Sequence, residues 1–509
     1  MAVETELKLS IPPGAVARLR RHTLLAGIRP QRLRLANTYY DTPALDLKRS
    51  KIALRHRRMA WGFLLTVKSA EPAAGGLARR SEWEAPSQPG AFDFSHVDDK
   101  SLRARLVAMV PMLQPAFTTD FLRTTWLVSY GGASIELALD RGEVRCGSAG
   151  NAEEAGRIEP RIEPICELEL ELLSGPTSAL FDLALALQET LPLRPAVASK
   201  AERGFRLFLD EPLKPFRAGA SQLSGEAAPR AAFCAVAFDC IEHLQRNEPG
   251  LNSEQPEFLH QGRVAIRRLR TAMRFWAPVL PPHFLETFDP SWQALAQLLG
   301  KQRNLDVFVE HTLPPLKRRF PDRGSLRRLE GAARRRQADA RKAVRAAIEH
   351  PAYARLLLQF VAAISALAEA EADALVPTQA SDAMTTFARM RLQRFAKTVR
   401  RRGEATGSDP EAHHRLRIAF KRLRYALEFC APLYRRKRLR RYLSAAAEMQ
   451  EVLGDMNDLA VTSGILCDLK GGGNDPLLTG WFEGRAALLT DLLPAALAAF
   501  ADARPPWRK

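Results

Sequence analysis

The first ten residues, MAVETELKLS (1–10), alternate in character: Glu4, Glu6 and Lys8 share one face of an extended strand, and Leu7 and Leu9 share the other. The same period of two returns in IALRHR (52–57), FLLTVK (63–68), RRSEWEA (79–85), IELALD (135–140) and CELELELL (166–173). In these runs Arg55 falls with Arg57, Thr66 with Lys68, Arg80 with Glu82 and Glu84, and Glu167 with Glu169 and Glu171, while Arg123 and Asp140 lie in further strand-like stretches. For any one strand such a face reads as the solvated side of a half-buried sheet. Many of them together, with acids on the first and late strands and bases on the middle ones, predict charged faces turned toward each other inside a closed barrel.

The chain changes texture near residue 210. Residues 1–210 carry 28 Lys+Arg against 25 Asp+Glu, whereas residues 211–509 carry 47 against 32, so most of the net charge of +18 lies in the second part. DEPLKPFRAGASQLSGE (210–226) is rich in Pro, Gly, Ser and Ala and reads as a linker. Beyond it run long Ala/Leu/Arg/Glu stretches with helical spacing. The expected organisation is a β-rich domain over 1–210, with helices near 14–21 and 178–189, a linker over 211–225, and an all-α domain over 226–505. A length of 509 residues and 46% hydrophobic content exclude a single core and a disordered chain. Six cysteines without a C-x-x-C pair point to free thiols in a reducing cytoplasm. The N-terminus lacks a signal-peptide pattern, and the most apolar stretch, near 488–500, contains Asp491 and Pro494, so no membrane span is expected. The basic excess predicts a polyanionic partner.

Carboxylates at i and i+2 can share a hard divalent cation, and Arg and Lys on facing strands can hold phosphate oxygens. Together they suit a metal-bound polyphosphate, which carboxylates alone would repel. No G-x-x-x-x-G-K-[ST] loop is present. Glu4-x-Glu6-x-Lys8, followed in order by TYYDT (38–42), LRHR (54–57), TVK (66–68), RSEWE (80–84), ELALD (136–140), ELELEL (167–172) and SKAERG (199–204), resembles the CYTH superfamily, the triphosphate tunnel metalloenzymes. The resemblance implies an eight-stranded antiparallel tunnel that acts on triphosphate compounds with Mg²⁺ or Mn²⁺. It implies Glu4, Glu6, Asp140, Glu167 and Glu169 as metal ligands, with Glu171 continuing their face. It implies Lys8, Arg55, Arg57, Lys68, Arg80, Arg123 and Lys200 as phosphate ligands, of which Lys8, Arg55, Arg57 and Lys68 carry the catalysis. Glu82 and Glu84 could bind a second metal or pair with bases. His56, between two inward arginines, should point outward.

The second half repeats itself. HQGRVAIRRLRT (260–271) returns as HRLRIAFKRLRY (414–425), and LGKQRNLDVF (299–308) as LGDMNDLAVT (453–462); 260 to 414 and 299 to 453 are both steps of 154 residues. At about 100° per residue, His260, Arg263, Arg267, Arg270 and Arg274 form one stripe and Ile266, Leu269, Met273 and Trp276 another. In the second copy His414, Arg417, Lys421 and Arg424 align, opposite Phe420, Leu423, Leu427 and Cys430. A solvated amphipathic face could look like this, yet four like charges stacked at helical spacing in both copies ask for an anion. The repeats resemble the CHAD domain, an all-helical duplicated domain whose family role is binding inorganic polyphosphate. That likeness implies His260, Arg263, Arg267, Arg270, His414, Arg417, Lys421 and Arg424 as polyphosphate ligands. LGKQRNLD and LGDMND should brace the basic helices.

The expectation is therefore an α+β multidomain protein: a CYTH tunnel hydrolysing inorganic triphosphate, joined to a polyphosphate-binding CHAD bundle. Alternatives are a CYTH enzyme acting on thiamine triphosphate or cyclising ATP, and a non-enzymatic polyanion binder, against which the intact glutamate set argues. Nucleic acid is disfavoured because aromatics are 7% and do not interleave with the basic stripes.

Overall fold

The computed structural model describes residues 2–59, 62–69, 74–147, 160–251, 253–373, 383–407, 409–469 and 475–507. Two compact units emerge: Met1–Lys214 with His350–Ala366, and Pro215–Glu349 with Leu367–Lys509. The first is thus not contiguous in sequence.

Eight strands build the first unit: β1 (Ala2–Ser10), β2 (Gln31–Asp41), β3 (Ile52–Met59), β4 (Gly62–Ser69), β5 (Leu77–Ser87), β6 (Gln114–Tyr130), β7 (Ala133–Cys146) and β8 (Arg161–Ser174). Their order is β5-β4-β3-β2-β6-β7-β8-β1, and β1 pairs back with β5, so the sheet closes; every pairing is antiparallel. A two-residue β9 (Arg194–Pro195) adds to β1. The expected eight-stranded antiparallel tunnel is the observed architecture. Closure removes the sheet edges and gives each strand an inner and an outer face.

The barrel is charged inside and apolar outside. Leu7, Leu9, Leu137, Leu139, Leu168 and Leu170 are fully buried on the outer face, each worth roughly 1.5–3 kcal/mol. Helices α1 (Val16–Arg20), α2 (Asp46–Arg49), α3 (Lys100–Met109), α4 (Ser178–Gln188) and α5 (Lys200–Phe208) flank it. α1 and α4 lie where the sequence predicts helices; α3 carries no comparable signal, with only Leu106 fully buried. An outer cluster of Leu47, Leu54, Leu65, Val67, Trp83 and Phe94 covers β3, β4 and β5.

The second unit is helical: α6 (Pro229–Asn247), α7 (Pro256–Trp276), α8 (Phe284–Val307), α9 (Leu313–Arg319), α10 (Gly324–Glu349), α11 (Pro351–Asp373, shared with the first unit), α12 (Ala383–Glu404), α13 (Pro410–Phe429), α14 (Arg436–Asp468) and α15 (Pro476–Asp502). α6 and α12, and α7 and α13, begin 154 residues apart, the offset of the sequence repeat. α6, α7, α8 and α10 pack in succession, as do α12, α13, α14 and α15. Ile266, Leu269, Met273, Trp276, Phe420, Leu423, Leu427 and Cys430 are all buried, as the apolar stripes require.

Two helical stretches, Pro351–Ala370 and Pro476–Asp502, are long and apolar enough to cross a membrane by length and composition alone. α15 runs unbroken through Asp491 and Pro494. Asp491 and Pro494 are both exposed on the helix surface.

Candidate functional site

The strand register decides what meets inside the barrel. Glu6 lies opposite Glu171, Lys8 opposite Glu169, Asp140 opposite Glu167, Arg123 opposite Asp140, and Glu4 opposite Arg80. The lumen encloses about 500 Å³, lined among others by Glu4, Glu6, Lys8, Arg55, Arg57, Lys68, Arg80, Arg123, Glu169 and Lys200. Of the twelve tunnel residues implied by the resemblance, only Asp140 and Glu167 do not line the open volume. They are buried behind it, in contact with Lys200.

Lys200 reaches the lumen from outside the sheet. It opens α5, whose N-terminus is fixed by a reciprocal cap: the Ser199 hydroxyl accepts from Glu202 N–H, and the Glu202 carboxylate accepts from Ser199 N–H. Gly204 lets the helix sit on the ring of Phe117 in β6, since a Cβ there would approach the ring to 2.0 Å. The Lys200 ammonium lies 2.7 Å from Asp140, 2.5 Å from Glu167 and 2.9 Å from Glu169. Arg123 grips both oxygens of Asp140 at 2.8 and 2.7 Å and reaches Glu169 at 2.5 Å, and Lys8 lies 2.9 Å from Glu169. These three cations hold the Glu169 carboxyl well below its ordinary range despite complete burial.

A second layer runs through β1, β4 and β5. Lys68 bridges Glu4 and Glu82, each at 2.8 Å, and Arg80 lies 3.4 Å from Glu6. Arg55 lies 3.7 Å from Glu82, and Arg57 3.5 Å from Glu84, which also accepts from the Thr66 hydroxyl at 2.7 Å. Glu82 and Glu84 thus pair with bases. Among the described residues the buried Nε atoms of Arg55 and Arg80 find no hydrogen-bond partner, an unsatisfied state that an incoming anion would relieve. His56 points outward, its Nε2 donating to Ala91 O (3.0 Å) and its ring packing against Tyr40 and Phe92.

Glu136, from the ELALD motif, is a lumen residue that the sequence reading leaves out. Its period-two relation to Asp140 is the signal that could have found it. It crowds Glu171, whose carboxyl is pushed up to about 7 by burial, by Glu4 and by Glu136. Asp140, Glu167 and Glu169 offer oxygens within 4.8 Å of one another. Hard oxygen donors so grouped, with Glu4 and Glu171 crowded on the same inner surface, fit a divalent cation.

The helical unit holds a second concentration of charge where α7 and α13 pack together. Arg263, Arg267, Arg417 and Lys421 come together there, joined by Arg303 from α8, a residue to which the sequence pattern assigns only bracing. Among the described residues none of these five makes an ion pair, and the Nε atoms of Arg267 and Arg417 are buried without partners. The guanidinium of Arg263 is pushed down to about 10, and the ammonium of Lys421 to about 6, by burial and by the neighbouring cations. His260 faces the same group, its imidazole lowered first by burial and then by Arg303. The guanidiniums of Arg267 and Arg424 both lie over the Tyr425 ring, at 5.4 and 5.3 Å from its centre.

The rest of the predicted stripe is tied elsewhere. Arg270 and Arg274 share Asp289 of α8, at 2.7 and 2.5 Å, and Arg424 binds Gln450 at 2.6 Å and Glu428 at 3.0 Å. His414 is exposed and contacts Asn457 Oδ1, within LGDMND, at 3.3 Å. His413 turns away to Gly407 O.

Family models place these two units. The CYTH domain model matches residues 2–205 and the CHAD domain model residues 235–467. An inorganic triphosphatase from Haemophilus influenzae is 34% identical over 328 residues, 61% of this chain and 84% of that protein. Among solved structures, the CHAD domain from the plant Ricinus communis shares 33% identity, covering 58% of this chain and 98% of that one with a TM-score of 0.48. A Hippeastrum protein described as having a dominant triphosphatase activity shares 22%, covering 42% and 98% with a TM-score of 0.30. With both domains matched in order and a third of the residues shared along most of the Haemophilus protein, the chain belongs to the CYTH–CHAD family.

Proposed function

We propose that the tunnel hydrolyses inorganic triphosphate to pyrophosphate and phosphate with Mg²⁺ or Mn²⁺, in the reducing cytoplasm, and that the helical unit binds inorganic polyphosphate. One observation carries the first part: a closed lumen in which acids and bases neutralise each other while buried guanidinium N–H groups on Arg55 and Arg80 lack partners among the described residues. The name and 34% identity of the Haemophilus relative support the choice of substrate.

The ion pairs are exchangeable. An arriving triphosphate takes Lys8, Arg55, Arg57, Lys68, Arg80, Arg123 and Lys200 onto its oxygens, and the carboxylates of Glu4, Glu6, Asp140, Glu167 and Glu169, with Glu171, are freed to hold a cation. When bound, that cation supplies neutralisation of phosphate charge and activation of water. The chain's own part is positioning and electrostatics: the basic side chains orient the terminal phosphoryl group and stabilise the charge that shifts to the leaving pyrophosphate as the P–O bond breaks. Burial strengthens each contact by excluding bulk water.

The polyphosphate reading rests on the five cations of α7, α8 and α13 that make no ion pair among the described residues, since mutual repulsion at partial burial is unfavourable without a counter-anion. Phosphate release from triphosphate, ATP and thiamine triphosphate, with and without Mg²⁺ or Mn²⁺, tests the activity. Metal-dependent release from triphosphate above the others is expected, and metal-independent or absent release would refute it.

A further inference from the structure

Arg422 sits one residue beyond Lys421 and belongs to none of the groups above. Its counterpart in the first copy, 154 residues earlier, is Arg268, which lies 3.5 Å from Glu428. Arg422 has no such partner: among the described residues its half-buried guanidinium makes neither a hydrogen bond nor an ion pair. The charges that act on it most strongly are those of Arg274, Arg402 and Arg270, opposed by the carboxylate of Asp289. Asp289 is already clasped by Arg270 and Arg274, through four contacts of 2.5–3.3 Å. Arg402 of α12 donates to Arg415 O at 2.7 Å, a neutral acceptor. Four guanidiniums around one committed carboxylate leave a local excess of positive charge, and the duplication shows that the fold can supply an acid at this position when neutrality is required.

We propose that Arg402 and Arg422, with Arg270 and Arg274 behind them, form a second phosphate-binding station, so that the helical unit takes long linear polyphosphate at two places. This rests on the polyphosphate reading above. The two stations share helices: Arg267 and Arg274 are seven residues apart on α7, or about 10 Å, and Lys421 and Arg422 are neighbours on α13. A chain long enough to reach both releases more counterions than one held at the first station, so its affinity is higher and falls more steeply with salt. The single carboxylate keeps Arg270 and Arg274 ordered while leaving the outer guanidiniums to the ligand.

The test is binding of long-chain polyphosphate and of tripolyphosphate to the full chain, without divalent metal, across a salt series. In the double variant Arg402→Gln, Arg422→Gln, long-chain affinity is expected to fall at least tenfold, and the slope of log K against log salt to shrink by roughly 1–2, about 0.7 for each phosphate that is no longer neutralised. Tripolyphosphate binding should stay near wild type. The conservative double variant Arg402→Lys, Arg422→Lys should keep most of the long-chain affinity, which separates charge from folding. Wild-type affinity and slope in the glutamine variant would overturn the second station, as would equal weakening for both ligands, or duplex DNA displacing the long chain as readily as polyphosphate does. Failure of the wild-type protein to bind long chains at all would instead overturn the reading on which it rests.

Discussion

Lys421 is expected to take up a proton when a phosphate chain binds. It is faced by Arg263 and Arg267 from α7, Arg417 from α13 and Asp458 from α14. Burial, then Arg267, Arg417 and Arg263, bring its ammonium down to about 6. At pH 8 only about 1% of the free protein carries that charge, and a bound polyanion draws the group back toward its ordinary value near 10.4. The bound state then holds more protons than the free state, so affinity is greatest below pH 6 and falls about tenfold per pH unit above it. Between pH 6 and pH 8 the loss is about fiftyfold, because half of the free protein already carries the charge at pH 6. Calorimetric titration of the full chain with long-chain polyphosphate, in two buffers of different ionisation enthalpy, reads the proton directly. About one proton per site is expected at pH 8, a pH at which His260 contributes little. Lys421→Arg should abolish the uptake and flatten the pH dependence while retaining binding. Tight wild-type binding with no buffer dependence at pH 8, and equal affinity at pH 6 and pH 8, would refute this account of the lysine's surroundings.

Other outcomes follow from the tunnel. Glu4→Gln or Glu169→Gln should lower triphosphate hydrolysis by orders of magnitude with the β-signature of the circular dichroism spectrum unchanged; near wild-type rates in both would remove these residues from the metal set. Glu171→Gln removes a crowded carboxylate and should stabilise the metal-free protein at pH 8 by about 1–2 kcal/mol, discounted for its partial exposure, while weakening Mn²⁺ binding; denaturant melts and metal titration measure the two effects. Gly204→Ala should push α5 off Phe117 and shift Lys200 from the acids, costing about 1–3 kcal/mol and a large part of kcat; a variant as stable and active as wild type would show that the contact is not what places Lys200.

Period-two alternation made the inner faces legible because a strand has only two sides. Glu4, Glu6, Lys8, Arg55, Arg57, Lys68, Arg80, Arg123 and Glu169 all reach the lumen where their motifs place them. Glu136 obeys the same rule, yet one glutamate beside Asp140 carries no separate local signal. The helical stripes were legible as periodicity and repeat, but their pairing was not. Asp289, which neutralises Arg270 and Arg274, stands on another helix, and no spacing within HQGRVAIRRLRT reveals it.

By itself the sequence determined the division into a strand-rich and a helical part, the charged and apolar faces of each element, the duplication at 154 residues, and the identities of most lumen residues. These are local properties: backbone geometry assigns side chains to faces without reference to any partner. Only the tertiary structure decided which charges meet. Sheet closure through β1 and β5 set Glu4 opposite Arg80, the cap and glycine of α5 carried Lys200 to Asp140, Glu167 and Glu169, and the packing of α7 against α13 left Arg263, Arg267, Arg303, Arg417 and Lys421 without an ion pair among the described residues. A charge acquires its energy from neighbours within a few ångströms and from the water that burial removes, and both are fixed by contacts between residues far apart in the chain.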